Sequence, residues 1–334
     1  FGPTLNPRDL GRVPGGSSSG AGASVAAGVC DVALGSDTGG SVRCPGSFCG
    51  VAAFKPSYGL VPRHGLADLA MSLEGPAPLA RDVATLGLAM DALAGADPRD
   101  PVTQGARGGG FAEAARSPPD RLVVGVPIEW REGVAEDVAR PVEAALARLG
   151  AEVVDVSLPS LRHALAAYYV TNYAEFASAM QRLDGVRYGE PGPEEASYEE
   201  AAAAARASFG PEVKRRILLG TFATSREERG RWHDAAVRAR AEVARDLERA
   251  FARCDVLMGP TMPVRAWRLG ERLADPRAMY AADALTVPAN LAGVPAGTVP
   301  LRVDGLPVGL QVVGPQGGDR RVLSAMALVE ARAG

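Results

Sequence analysis

In this chain of 334 residues, serine and glycine crowd into two short loops. Residues 15–19 read GGSSS and residues 36–41 read SDTGGS, with one short apolar stretch between them. Glycine lets the backbone turn with φ > 0 and leaves its N–H groups uncovered by a Cβ. The run Thr38-Gly39-Gly40-Ser41 can therefore aim consecutive N–H donors at one point beside a hydroxyl. Acyl transfer needs those two parts, a nucleophile and a set of donors that hold the oxyanion of the tetrahedral intermediate. Because so little chain separates the loops, both hydroxyl clusters can return to one place, which predicts one active site.

Other chemistries fit less well. Serine-glycine loops are commonly flexible linkers. Glycine-rich segments also cradle phosphates, but neither GxxxxGK[ST] nor GxGxxG occurs here. Asp37-Thr38-Gly39 echoes an aspartic protease, which pairs two such carboxylates, and only one DTG is present. Cys30, Cys44, Cys49 and Cys254 form no CxxC pair and have no histidine at zinc spacing. Free thiols in a reducing cytoplasm are the expected state, with a Cys44–Cys49 disulfide conceivable because the two flank the serine loop. His64, His163 and His233 fall on separate predicted elements, so none has a cysteine or serine to serve.

The elements that must position the loops follow from periodicity. Residues 20–29 read as a small-residue helix behind the first loop, and residues 32–34 as a buried strand delivering the second. Residues 82–95 place Val83, Leu86, Leu88, Met90 and Leu93 largely at helical spacing, closed by Gly95. Residues 97–120 are dense in Pro, Gly and charge and read as an exposed connection. LVVGVPI at 122–128 reads as a buried central strand. Val134, Val138, Val142, Leu146 and Leu149 give a helix with a kink or restart at Pro141, and residues 153–156 the next strand. Strand, helix, strand implies a parallel unit, hence an α/β sheet.

From 161 to 251 the pattern is almost wholly helical. The acidic, alanine-rich part at 189–207, with Pro191 and Pro193, should lie on the surface. Residues 225–254 carry Trp232, Ala236, Ala239, Val243, Leu247 and Phe251 on one stripe, which predicts a packing face. Residues 298–303 and 306–313 are apolar runs joined by Asp304-Gly305, a type I′ hairpin signal. Residues 321–332 read as a terminal helix.

Bulk properties bound the function. Hydrophobic residues make up 47% of the chain, ample for a large core. A net charge of −3 argues against a surface that coats nucleic acid. Of 36 basic residues only Lys55 and Lys214 are lysine. No apolar run approaches the ~20 residues that span a bilayer.

With those residues in view, the chain resembles the amidase signature hydrolases. The likeness rests on GGSSSG, then GSDTGGSVR, then FCGVAAFKPSYGLVPR at 48–63, in order and at family spacing. It implies one α/β domain over 1–334, with its signature core at 15–63, built on a large mixed, mostly parallel β-sheet covered by helices on both faces. By the same likeness Ser41 is the nucleophile and Ser17 the middle member of a Ser-Ser-Lys triad, after a cis peptide at Gly16. The N–H groups of Thr38, Gly39, Gly40 and Ser41 would form the oxyanion hole. The family's catalytic lysine lies well before the first loop, and neither Lys55 nor Lys214 matches it. The expectation is therefore a fragment whose N-terminal portion, including the lysine, is absent, and which is inactive alone.

Three further segments, at 168–189, 213–223 and 275–300, resemble one branch of the family, the A subunits of aspartyl/glutamyl-tRNA amidotransferases. That branch hydrolyses glutamine and passes ammonia to a partner subunit. By resemblance the helical region at 160–254 sets substrate specificity, and Tyr168, Arg216 and Asp283 hold the glutamine's backbone groups. A guanidinium pairs a carboxylate bidentately, and an ammonium needs a carboxylate. The likeness implies B and C subunits and misacylated tRNA as partners, ATP and Mg2+ on a partner, no cofactor or metal on this chain, no membrane, and a cytoplasmic location. A free-standing amidase acting on a small amide, or an inactive remnant, are the alternatives.

Overall fold

Along β2 (Ala52–Lys55) the side chains of Ala52 and Phe54 enter one apolar cluster and that of Ala53 enters another. Successive side chains on a strand point to opposite faces, so this sheet is buried on both and must be covered twice. The computed structural model describes residues 2–191, 196–273 and 275–334. Among them the strands are β1 (Val32–Asp37), β2, β3 (Gly75–Ala80), β4 (Val123–Pro127), β5 (Glu152–Val156), β6 (Val256–Pro260), β7 (Ala296–Pro300) and β8 (Gly309–Val313). The helices are α1 (Ser19–Ala26), α2 (Arg43–Cys49), α3 (Val83–Leu93), α4 (Phe111–Ala114), α5 (Glu136–Arg148), α6 (Leu161–Ala179), α7 (Tyr198–Ala207), α8 (Pro211–Thr224), α9 (His233–Phe251), α10 (Pro276–Ala281), α11 (Val287–Ala292) and α12 (Asp319–Arg332).

The chain divides into two compact units. One comprises Phe1–Gly65, Leu73–Leu165 and Ala241–Gly334 and holds the whole sheet, in the order β1-β3-β2-β7-β8-β6-β4-β5. Val83 and Leu86 of α3, Val138 of α5 and Val322 of α12 pack into the cluster that takes Phe54, while Val25 of α1 packs into the cluster that takes Ala53. Helices therefore cover both faces, as expected. The expectation of mostly parallel pairing does not hold. Only β4 with β5 and β4 with β6 are parallel, and the other five pairs are antiparallel. The β4-α5-β5 unit is parallel as its pattern predicts, but it describes only its own end of the sheet.

Three local differences have physical causes. β1 pairs only with β3 and is an edge strand, so Leu34 is 57% exposed rather than buried. β7 and β8 do pair antiparallel, but residues 301–308 connect them and among the described non-glycine residues none has positive φ, so Asp304-Gly305 is not a type I′ turn. α5 runs unbroken through Pro141. Proline leaves the carbonyl four residues earlier without its helical donor, and here Arg265 supplies two, Nε and Nη2 donating to the Asp137 carbonyl at 3.2 and 2.9 Å.

The second unit comprises Leu66–Ser72 and Ala166–Arg240 and is helical. Of the surface segment expected at 189–207, residues 192–195, including Pro193, lie outside the described residues. Its remainder is mostly exposed and contains α7, opened by a capping box between Ser197 and Glu200. The stripe expected over 225–254 begins later, since α9 starts at His233. Ala236, Val243 and Leu247 are buried, whereas Trp232 is 38% exposed and its indole N–H donates to Glu228.

Within this unit α8 packs on α6 through a glycine. A Cβ at Gly220 would lie 1.9 Å from the Tyr173 carbonyl oxygen. Alanine in place of a helical glycine gains about 1 kcal/mol of propensity, less than the overlap with a backbone atom costs. Gly220→Ala should therefore destabilise the protein by a net of about 1–3 kcal/mol. Urea titration followed by circular dichroism measures it, and a midpoint at or above wild type would count against this packing.

Candidate active site

The two serine loops meet at the end of β1. Its last residue, Asp37, carries the chain into Thr38–Val42 and then α2. Ser19 Oγ donates to the Gly15 carbonyl at 2.7 Å and closes the first loop onto the start of α1. The Gly16–Ser17 peptide is cis, as the resemblance implies. The next peptide N–H, that of Ser18, donates to the Ser41 carbonyl oxygen at 3.0 Å. Positions 17 and 41 are thus brought to one place, with Ser17 exposed and Ser41 half-buried. The contact needs Gly35, where a Cβ would fall 2.3 Å from Ser18 Oγ.

What shapes the second loop is a buried carboxylate. Asp37 Oδ1 accepts from Gly40 N at 2.8 Å, and Oδ2 accepts from Val42 N at 3.2 Å and Arg43 N at 3.4 Å. Arg43 meets it bidentately, Nε to Oδ2 at 3.1 Å and Nη2 to Oδ1 at 2.9 Å, with both side chains 0% exposed. The remaining guanidinium protons go to the Thr286 carbonyl at 3.0 Å, Gln311 Oε1 at 2.7 Å and Asn290 Oδ1 at 2.6 Å. Asn290 Nδ2 in turn donates to Asp37 O and Oδ1, and Gln311 Nε2 donates to the Leu285 carbonyl. Burial alone would raise the Asp37 carboxyl, but the Arg43 guanidinium outweighs it and holds the group well below the usual carboxylate range.

Thr286 completes the cradle. Its hydroxyl donates to the Gly39 carbonyl at 2.6 Å. Gly40, at φ +123°, leaves no space for a side chain, since a Cβ would sit 2.4 Å from Thr286 Oγ1. Among the described residues the N–H groups of Thr38, Gly39 and Ser41 have no acceptor. The expected oxyanion donor Gly40 differs, because its N–H is spent on Asp37. Three main-chain donors beside one hydroxyl remain, and that is a set acyl transfer can use.

Lys55 is buried and its Nζ donates to the Pro56 carbonyl at 2.8 Å. Burial, with Arg43 nearby, depresses its pKa to about 8. Lys214 donates to the Ala207 carbonyl on α8's exposed side. All four cysteines are free, so Cys44 and Cys49 are not bridged. Burial pushes the Cys44 thiol far up and that of Cys49 to about 12, which removes both as nucleophiles.

The expected substrate residues fall in both units. Asp283 belongs to the sheet-bearing unit, in a 3-10 turn whose Asp283 carbonyl accepts from Thr286 N at 3.0 Å. Tyr168 and Arg216 belong to the helical unit. Tyr168 is buried on α6 with its hydroxyl 3.5 Å from Asn172 Nδ2. Arg216, on α8, donates to Glu212 at 2.7 Å and lies 5.9 Å from the Tyr173 ring centroid. Sequence reasoning passes over Asp37, Arg43, Thr286, Asn290 and Gln311 as functional residues. The one trace in the sequence is that each is a polar residue set inside a glycine-rich or apolar run, which does not say that they face one another.

The Amidase family model matches residues 1–323, and the chain belongs to that family. Among its relatives, the A subunit of the glutamyl-tRNA(Gln) amidotransferase of Natronomonas pharaonis is 50% identical over 332 residues, covering 97% of this chain and 78% of that protein. The protein of the same name from Halobacterium salinarum is 50% identical over 336 residues, covering 99% and 79%. The solved structure of the A subunit of glutamyl-tRNA(Gln) amidotransferase from Thermotoga maritima is 37% identical with a TM-score of 0.79, covering 97% of this chain and 67% of that one. A bacterial aryl acylamidase of the amidase signature family superposes with a TM-score of 0.81 at 27% identity, covering 99% and 68%.

Breaking the buried pair should be costly and pH-dependent. Because Asp37 titrates lower in the folded state, its contribution is present above the unfolded pKa near 3.8 and is lost as pH falls below it. Asp37→Asn should cost about 3–5 kcal/mol at pH 7 by leaving Arg43 buried and unpaired, and the gap to wild type should narrow in acid. Denaturant titrations at pH 7 and pH 3 check both, and a gap that widens in acid would contradict the assignment.

Proposed function

We propose that this chain is the glutamine-hydrolysing subunit of a tRNA amidotransferase. The observation that carries the reading is the meeting of Ser17 and Ser41 through the Ser18 N–H, beside unpaired main-chain donors. Ser41 Oγ attacks the side-chain amide carbon of glutamine. Thr38, Gly39 and Ser41 N–H groups stabilise the oxyanion, and Ser17 relays the proton to a lysine that is neither Lys55 nor Lys214. That proton reaches the leaving nitrogen, ammonia departs, and water releases glutamate from the acyl-enzyme. Arg216 pairs the substrate carboxylate, while Asp283 and Tyr168 take its ammonium.

The names borne by relatives at 50% identity support the rest of the reading. Ammonia passes to B and C subunits, which use ATP and Mg2+ to amidate misacylated Glu-tRNA(Gln) or Asp-tRNA(Asn) in the cytoplasm. Among the described residues no helix is long and apolar enough to cross a membrane.

Two measurements on the assembled enzyme test this. Ser41→Ala should lower kcat for ammonia release from glutamine by about a thousandfold or more, with the melting temperature kept. Arg216→Ala should raise KM for glutamine about 30- to 1000-fold, equivalent to about 2–4 kcal/mol, with a smaller change in kcat. Wild-type turnover in the first variant would end the assignment of the nucleophile. An unchanged KM in the second would remove Arg216 from the substrate site.

A further inference from the structure

The peptide that joins Gly39 to Gly40 separates the N–H groups of Gly39 and Ser41, two of the three main-chain donors without an acceptor. Neither residue has a Cβ, so no side chain of its own resists rotation of that plane. It is instead gripped at both ends. Its N–H donates to Asp37 Oδ1 at 2.8 Å, and its carbonyl accepts from Thr286 Oγ1 at 2.6 Å. The first grip comes from the same loop and the second from 247 residues away. Among the described residues no other donor reaches the Gly39 carbonyl.

Thr286 is itself held firmly. It is fully buried, its N–H donates to the Asp283 carbonyl at 3.0 Å, and its carbonyl accepts from Arg43 Nη1 at 3.0 Å. Its side chain also fills the space beside Gly40, where a Cβ would lie 2.4 Å from Oγ1 and 3.1 Å from Cγ2. The hydroxyl has a single proton to give. The Gly39 carbonyl is the nearer acceptor, since the Asp283 carbonyl lies 3.1 Å away and is already served by Thr286 N. A buried carbonyl stripped of its donor is costly. Without the hydroxyl the peptide is free to turn, and a carbonyl dipole turned among the neighbouring N–H groups opposes the charge they stabilise.

We propose that Thr286 is a positioning residue of the oxyanion cradle. Through the Gly39 carbonyl it holds the Gly39–Gly40 peptide in the orientation that leaves the N–H groups on either side to the tetrahedral intermediate. It touches no reacting atom and acts only through the loop. This rests on the reading of Ser41 as nucleophile but not on glutamine as the substrate.

On the assembled enzyme, Thr286→Val keeps the shape of the side chain and removes the donor. It should lower kcat for ammonia release from glutamine about 10- to 100-fold, with KM within about twofold of wild type. Thr286→Ser keeps the hydroxyl and should hold kcat within about threefold of wild type, a rescue that lost packing would not give. Should the valine variant not fold, Thr286→Cys, whose thiol is a weak donor, should still fall at least about fivefold below the serine variant. Phosphonylation by a fluorophosphonate probe, in which Ser41 Oγ displaces fluoride and no glutamine takes part, should slow in the same order. A folded valine or cysteine variant with wild-type kcat per labelled site, a loss that lies in KM, or a serine variant that falls as far as valine would overturn the role of the hydroxyl. Wild-type labelling at Ser41 without ammonia release from glutamine would instead end the glutaminase reading, and the labelling rates alone would then decide on Thr286.

Discussion

The Asp37–Arg43 ion pair is the constraint on which the serine loop depends. A fully buried pair is weak evidence of net stability, so its value here lies in geometry. The carboxylate collects N–H groups from Gly40, Val42 and Arg43, which bends the chain around it and leaves the neighbouring N–H groups of Thr38, Gly39 and Ser41 free. The guanidinium then anchors that knot to α11 and β8 through Asn290 and Gln311. Elements some 250 residues apart in the chain are thereby held to one loop.

The same pair explains why the Ser41 loop can sit at the end of an edge strand. β1 has a neighbour on one side only and exposes Leu34, so its ladder gives less support than that of a central strand. The support comes instead from polar side chains on the far side of the sequence. Lys55 is buried in the same electrostatic neighbourhood, and burial together with the Arg43 guanidinium depresses its pKa to about 8, which still leaves it mostly charged near neutral pH.

Much of this was legible in the sequence, for physical reasons. The serine-glycine loops, which alone would pass for linkers, are legible because GGSSSG, GSDTGGSVR and the segment at 48–63 follow one another at fixed spacing. The β4-α5-β5 unit could be read from its change of period. Sheet order could not, because antiparallel neighbours such as β2 and β7 are joined by no local pattern. The buried polar network was unreadable in isolation: Arg43 looks like any arginine until Asn290 and Gln311 are known to face it. Gly40 illustrates the limit at the site itself. In the sequence it reads as an oxyanion donor, yet its N–H is taken by Asp37 and its missing side chain is what matters, since Thr286 fills the space.

Pro141 and Arg265 form a bond of obligation between distant positions. While proline stands at 141, the Asp137 carbonyl relies on the arginine. Were 141 to regain an amide hydrogen, that carbonyl would have its own helical donor and the arginine would become dispensable. Substitutions at the two positions are thus coupled: a lineage that loses the proline first makes the arginine dispensable, whereas losing the arginine first leaves that exposed carbonyl to water alone.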